Sequence, residues 1–155
     1  MASSRTLHLL LVDDSEQDQL LVTSVLQQLK PAPAYRTVQT CEEALELLRK
    51  LSEVGEPLPD LLLLDLHLPR MNGPELLQCL KADPTFASMP VIVFSTSASA
   101  RDIRQCYLER SAAYMVKPIE FTQLAEALEC LVAFWGNPAV RLPSHVQRAR
   151  PASTA

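Results

Sequence analysis

The chain has 155 residues, 48% of them hydrophobic and 21% charged. That is a globular balance at a length that gives one domain, with a core able to stand without disulfides or metal. Twelve prolines against three glycines are too scattered for a collagenous or low-complexity chain and read as stops between elements. The net charge of −4 disfavours a general nucleic-acid binder. It is unevenly spread, because Arg141, Arg148 and Arg150 follow the last acidic residue, Glu129.

The opening run Leu7 to Val12 is cut off by Asp13 and Asp14, which excludes a secretory signal. No apolar stretch approaches the ~20 residues needed to span a bilayer. The expectation is a cytoplasmic protein with no membrane or nucleic-acid partner. Cys41, Cys79, Cys106 and Cys130 form no CxxC pair and read as reduced, buried or half-buried thiols.

In chain order, Leu7–Val12 reads as a buried strand. Ser15 caps a helix to about Leu29, with Leu20, Leu21, Val25 and Leu29 as its apolar stripe. Pro31 and Pro33 end it, and a weaker strand spans Tyr35–Gln39. Thr40 to Glu43 has capping-box form, opening a helix with Ala44, Leu45, Leu48 and Leu51 inward. Leu61–Leu64 is apolar on both faces, as a central parallel strand requires. Pro74 suits the first turn of a helix to about Ala82. Val91–Phe94 is the fourth strand, and a polar turn at 95–99 opens a helix from Ala100 to about Arg110. Ala112–Val116 is the fifth strand. Glu120–Trp135 is the fifth helix, with Leu124, Ala127, Leu128 and Leu131 on one face. Five strand–helix units imply an α/β fold with a doubly wound parallel sheet.

In such a sheet ligands bind beyond the carboxyl ends of the strands. Asp13 and Asp14 end the first strand, Asp65 the third, Ser95 and Thr96 the fourth, and Lys117 with Pro118 the fifth. Three carboxylates gathered at one point repel one another and call for a hard cation such as Mg²⁺. A carboxylate nucleophile beside that cation can accept a phosphoryl group, and Lys117 and Ser95 stand where a positive group and a donor are needed. Each residue alone has a plainer reading. Asp13 and Asp14 suit a helix start, Lys117 a solvated lysine, and Tyr114 a half-buried strand aromatic. Ser95, Thr96 and Ser97 suit a turn or cap, and His8 suits a structural strand position. The plainer readings do not account for the convergence on one edge.

The pieces LLLVDDSEQD at 9–18, LLLLDLHLPRMNG at 61–73, VIVFSTS at 91–97 and YMVKPIE at 114–120 resemble the receiver (CheY-like) domain of two-component response regulators. The resemblance covers about residues 5–135 and leaves 136–155 as an extension, partly disordered or contacting a partner. It implies a flavodoxin-like sheet of order 2-1-3-4-5. Asp65 becomes the phosphoacceptor, and Asp14, Asp13, Asp65 and the His67 carbonyl hold Mg²⁺. Lys117 pairs with the phosphoryl group and, in its absence, with Asp65. Ser95 and Tyr114 become the moving hydroxyl and the aromatic switch. The Lys117–Pro118 bond is implied to be cis. LDLHLPRMNGPELLQCLKADP, VIVFSTSASARDI and AFWGNPAVRLP are further similar to the small regulators paired with bacterial phytochromes. Two positions depart from the family pattern: His67 replaces the common Asn or Met, and Cys41 replaces a frequent Gly.

The resemblance implies a stand-alone response regulator that takes phosphate from a sensor histidine kinase. It would act as a phosphoacceptor in a phosphorelay and not as an enzyme on other substrates. Its switched surface, on the fourth helix, fifth strand and fifth helix, carries Ile103, Tyr107, Phe121, Leu124 and Leu128 and would support a homodimer. The 20 residues after Trp135 are too few for an output domain with its own core. Phe134 and Trp135 either pack on their own domain or dock a partner. Two alternatives remain. A haloacid-dehalogenase-type phosphatase uses similar groups, but its nucleophile strand comes first and a general-acid Asp stands where this chain has His67. An interaction module that no longer accepts phosphate would not need all the site residues.

Overall fold

The computed structural model describes residues 5–144. Its elements are β1 (His8–Val12), α1 (Glu16–Gln28), β2 (Ala34–Val38), α2 (Cys41–Glu53), β3 (Leu61–Leu64), α3 (Gly73–Ala82), β4 (Val91–Ser95), α4 (Ala100–Leu108), β5 (Ala113–Val116) and α5 (Phe121–Trp135). The strands form one parallel sheet in the order β2-β1-β3-β4-β5. β3 and β4 are buried at every position, whereas β2 and β5 at the edges are half-buried. An all-leucine β3 is what a strand covered on both faces demands.

Alternation along the strands divides the core. Leu10, Leu62 and Leu64 pack with the inward leucines of α2 and α3. Leu9, Leu11, Leu61 and Leu63 pack with Val22, Val25 and Leu26 of α1 and Leu124, Leu128 and Leu131 of α5. Ser15, Thr40, Asn72 and Ser99 cap α1 to α4, each accepting the backbone N–H of the third helical residue. α5 starts at Glu120 without a side-chain cap.

Several expectations need correction. The stripe of α1 is Val22, Val25 and Leu26, while Leu20 is 68% and Leu21 45% exposed. Val22, Val25 and Leu26 lie one helical turn apart or side by side and take the inward positions, which turns Leu20 and Leu21 outward. Leu124 and Leu128 belong to the core and not to an outer surface. Cys79 and Cys130 are exposed, and only Cys41 and Cys106 are buried. Among the described residues the cis peptide bond is Lys30–Pro31, and Lys117–Pro118 is trans. Nothing in the structure explains that last difference.

The segment after α5 folds back beneath the sheet. Leu142 is 1% exposed and joins the core beside α1 and α5. The Ser144 hydroxyl donates to Asp60 Oδ1 at 2.5 Å, and Asp60 Oδ2 accepts the His8 N–H at 2.8 Å. Asp60 is buried at the amino end of β3. The segment to Ser144 is therefore part of the packed domain. Arg148, Arg150 and Pro151 lie outside the described residues. Phe134 is exposed and meets the half-buried Trp135 edge-on, with ring centroids 5.2 Å apart. No helix among the described residues is long and apolar enough to cross a membrane.

Candidate functional site

The carboxyl ends of β1 and β3 bring Asp13, Asp14 and Asp65 together. One oxygen from each lies within 4.8 Å of the others. The backbone fixes this placement. The Asp65 N–H donates to the Val12 carbonyl at 3.0 Å, and the Asp13 N–H to the Val38 carbonyl at 3.2 Å. Asp13 Oδ1 accepts the Ser15 N–H at 3.0 Å, turning the chain into α1. Gln19 reaches back from α1 and donates to the carbonyls of Asp13 and Val38 at 2.7 and 2.8 Å, clamping the loops that follow β1 and β2.

The loop after β3 closes tightly on Asp65. The Gly73 N–H donates to the Leu66 carbonyl at 3.0 Å. A Cβ at Gly73 would lie 2.8 Å from the Asp65 carbonyl oxygen and 2.9 Å from Leu66 Cα. Both are backbone atoms that cannot swing aside, so only glycine lets the start of α3 approach so closely. Arg70 in this loop has φ 62°, and the Met71 N–H donates to Glu42 of α2 at 3.1 Å.

Lys117 is 8% exposed and reaches into the cluster from the end of β5. Its Nζ lies 2.9 Å from Asp13 Oδ2 and 3.2 Å from Asp18 Oδ2, and 5.6 Å from the centre of the Phe94 ring. The expected direct pair with Asp65 is not formed. Asp18, one turn into α1, supplies the second carboxylate instead. Burial works against the charged ammonium, but the hydrogen bond and charge of Asp13, with the charges of Asp65 and Asp18, outweigh it and raise the Lys117 pKa. Asp65 is half-buried and its pKa is also raised. Burial is the largest cause, and the charges of Asp13 and Asp14 add to it while Lys117 opposes it. A cluster with more carboxylates than cations lacks positive charge, which a divalent cation would supply.

Ser95 is fully buried at the end of β4, and its carbonyl accepts the Lys117 N–H at 2.7 Å. Its hydroxyl accepts the Ser97 N–H at 3.2 Å. Tyr114 is half-buried, and its hydroxyl donates to the Ser97 carbonyl at 2.8 Å. Burial is the main cause that raises the Tyr114 pKa. The His67 side chain is exposed, with Nε2 3.7 Å from Asp102 Oδ2 on α4.

Asp13, Asp14, Asp65 and Lys117 thus gather at one edge, with Ser95 buried at the end of the neighbouring strand. Sequence reasoning missed Asp18 and Gln19, and it gave Ser97 only a turn role. The spacing from Asp14 to Asp18 was visible as one helical turn, but which carboxylate the lysine chooses depends on a side chain 99 residues away.

The family model for the response regulator receiver domain matches residues 9–129. The chain belongs to the response regulator receiver family. It is 31% identical over 131 residues to the response regulator Rcp1 of Synechocystis, covering 82% of this chain and 87% of that protein. It is also 31% identical over 127 residues to a probable methanogenesis regulatory protein, FilR2, of Methanothrix harundinacea, covering 82% of each. Among solved structures, the phosphorylated cyanobacterial phytochrome response regulator RcpA superposes with a TM-score of 0.80 at 32% identity, over 90% of this chain and 99% of that one. A response regulator in red-light signalling of R. palustris superposes at 0.79 with 31% identity, over 88% of this chain and 98% of that one. The Mn²⁺-bound form of Rcp1 superposes at 0.78 with 31% identity, over 88% and 98%.

Proposed function

We propose that this receiver accepts a phosphoryl group on Asp65 from the phosphohistidine of a sensor histidine kinase and relays the signal by a change of surface. The observation that carries the reading is the convergence of Asp13, Asp14 and Asp65 within 4.8 Å, beside the buried Lys117. A carboxylate oxygen of Asp65 attacks phosphorus, the N–P bond breaks, and the histidine nitrogen keeps the electron pair. Asp13, Asp14, Asp65 and the His67 carbonyl are the residues that would hold Mg²⁺. The bound cation would offset the charge of the phosphoryl oxygens. Lys117 is within reach to exchange its Asp13 and Asp18 partners for a phosphoryl oxygen. The Ser95 hydroxyl donates to another, and Tyr114 follows it. Phosphorylation then favours one of two pre-existing arrangements.

The likeness to Rcp1, RcpA and the R. palustris regulator supports a phytochrome-type kinase as the input and a cytoplasmic setting. Exposed Tyr107 and Phe121, 51% and 53% accessible, support a homodimer through α4, β5 and α5. The protein acts on its own Asp65 and not on external phosphate esters. With Mg²⁺ and phosphoramidate, whose N–P bond mimics phosphohistidine, the chain is expected to gain one hydroxylamine-labile phosphoryl group. With p-nitrophenyl phosphate it is expected to show no sustained turnover. Rapid hydrolysis of that ester would favour the phosphatase reading instead.

A further inference from the structure

The carboxylate of Asp102 does something unusual for its place in α4. Ser99 caps this helix and Asp102 stands at the third helical position, the arrangement of a capping box. In that arrangement the third residue's carboxylate reaches back to the cap residue's own N–H. Half of the box is present, since the Asp102 N–H donates to the Ser99 hydroxyl at 3.3 Å. The other half is interrupted. The Ser99 N–H donates to the Ser97 hydroxyl at 3.3 Å, and that hydroxyl donates to Asp102 Oδ2 at 2.6 Å. The hydroxyl of Ser97 is thus inserted between cap and carboxylate, and the first turn of α4 is tied to a residue outside the helix.

The same residue faces the site. The Ser97 N–H holds the Ser95 hydroxyl and the Ser97 carbonyl holds the Tyr114 hydroxyl. Four hydrogen bonds therefore meet at Ser97, two toward the site and its aromatic and two toward the start of α4. Ser95 is fully buried. The Ser97 N–H is bonded to the Ser95 Oγ, so when that oxygen shifts toward a phosphoryl oxygen to donate to it, the loop either follows or gives up the bond. Because the Ser97 hydroxyl carries the first turn of α4, the helix start moves with the loop. At 2.6 Å the bond from Ser97 to Asp102 is the shortest of the four. The exposed His67 imidazole lies 3.7 Å from the same Asp102 oxygen, beyond hydrogen-bonding distance.

We propose that Ser97, held by Asp102, is the positioning residue that couples Ser95 and Tyr114 to the start of α4. This rests on Asp65 being the phosphoacceptor and adds the route by which its state reaches α4. The test compares amide spectra of the full chain with and without Mg²⁺ and beryllofluoride, in the parent, Ser97→Ala, Ser97→Thr and Asp102→Asn. Phosphoryl uptake from phosphoramidate is read by intact mass in parallel. In the parent, amides of α4 are expected to shift with beryllofluoride. In Ser97→Ala the ratio of the two α4 arrangements should change by about 2- to 30-fold less, the range of residues that modulate coupling without touching ligand. Ser97→Thr, which keeps the hydroxyl, should restore the response. Asp102→Asn, which keeps an acceptor without its charge, should fall between, and it carries the test if Ser97→Ala does not fold. A parental α4 response in Ser97→Ala and Asp102→Asn overturns the coupling alone. A parent that gains no phosphoryl adduct overturns the phosphoacceptor reading, and the coupling with it.

Discussion

At the amino ends of the strands, Asp60 is 1% exposed and receives the backbone N–H of His8 and the hydroxyl of Ser144. At the carboxyl ends, Asp13 is 8% exposed and shares an ammonium with Asp18, while an oxygen each of Asp14 and Asp65 lies within 4.8 Å of one of its own. The first carboxylate receives hydrogen bonds from two segments far apart in sequence. The second belongs to a group in which burial, joined by the charges of Asp13 and Asp14, raises the pKa of Asp65. A buried polar group met by fixed donors stabilises one structure. A group left short of positive charge is poised to take a cation or give way to a new partner. The two ends of one sheet thus separate holding the fold from carrying the signal.

Substitutions at the two ends should therefore differ in kind. The largest effect is expected from Lys117→Met, which leaves Asp13 buried beside only the Ser15 N–H. Breaking such a pair costs about 3 kcal/mol, the lower end for buried pairs, and phosphoryl uptake should fall with it. Urea unfolding gives the first quantity and intact mass the second. Unchanged stability would mean that solvent already screens the pair.

Leu142→Ala should destabilise by about 2–3 kcal/mol through the cavity it leaves, and Ser144→Ala by about 1–2 kcal/mol through a lost bond to a carboxylate. Both variants should still take up phosphoryl groups, because neither touches the carboxyl edge. A loss of uptake in folded Leu142→Ala would break the separation between the two ends. Gly73→Ala tests the loop that closes on Asp65 at the carboxyl edge. Its Cβ would press on the Asp65 backbone, with a penalty of about 1–3 kcal/mol and slower uptake.

The smallest effect has the opposite sign. An aspartate whose folded pKa lies above its unfolded value is unfavourable to folding at pH above the folded pKa. That penalty vanishes below the unfolded pKa. Asp65→Asn should thus be more stable than the parent at pH 7, and the gain should disappear as pH falls below the ordinary aspartate range. Urea midpoints of the two proteins across that range check the sign.

Much of this was legible in local pattern. The all-leucine β3, the caps Ser15 and Thr40 and the acids at strand ends each follow from residues close in sequence. What was not legible depends on contacts across the fold. Of the stripe expected on α1, Val25 and Leu29 do meet the core, but Val22 and Leu26 take the places expected of Leu20 and Leu21. Leu142 and Ser144 looked like tail residues, since nothing local marks a return to β3. The choice of Asp13 and Asp18 by Lys117 is made among several carboxylates at similar reach. Ser97 looked like a turn residue because its four partners come from three different segments.

The most direct test of the phosphoacceptor reading is the intact mass of the chain after incubation with acetyl phosphate, with Mg²⁺ or with chelator, in the parent and Asp65→Asn. One hydroxylamine-labile phosphoryl group is expected in the parent with Mg²⁺, and none with chelator or in Asp65→Asn. An equal adduct in Asp65→Asn, or none in the parent with Mg²⁺, would contradict the account.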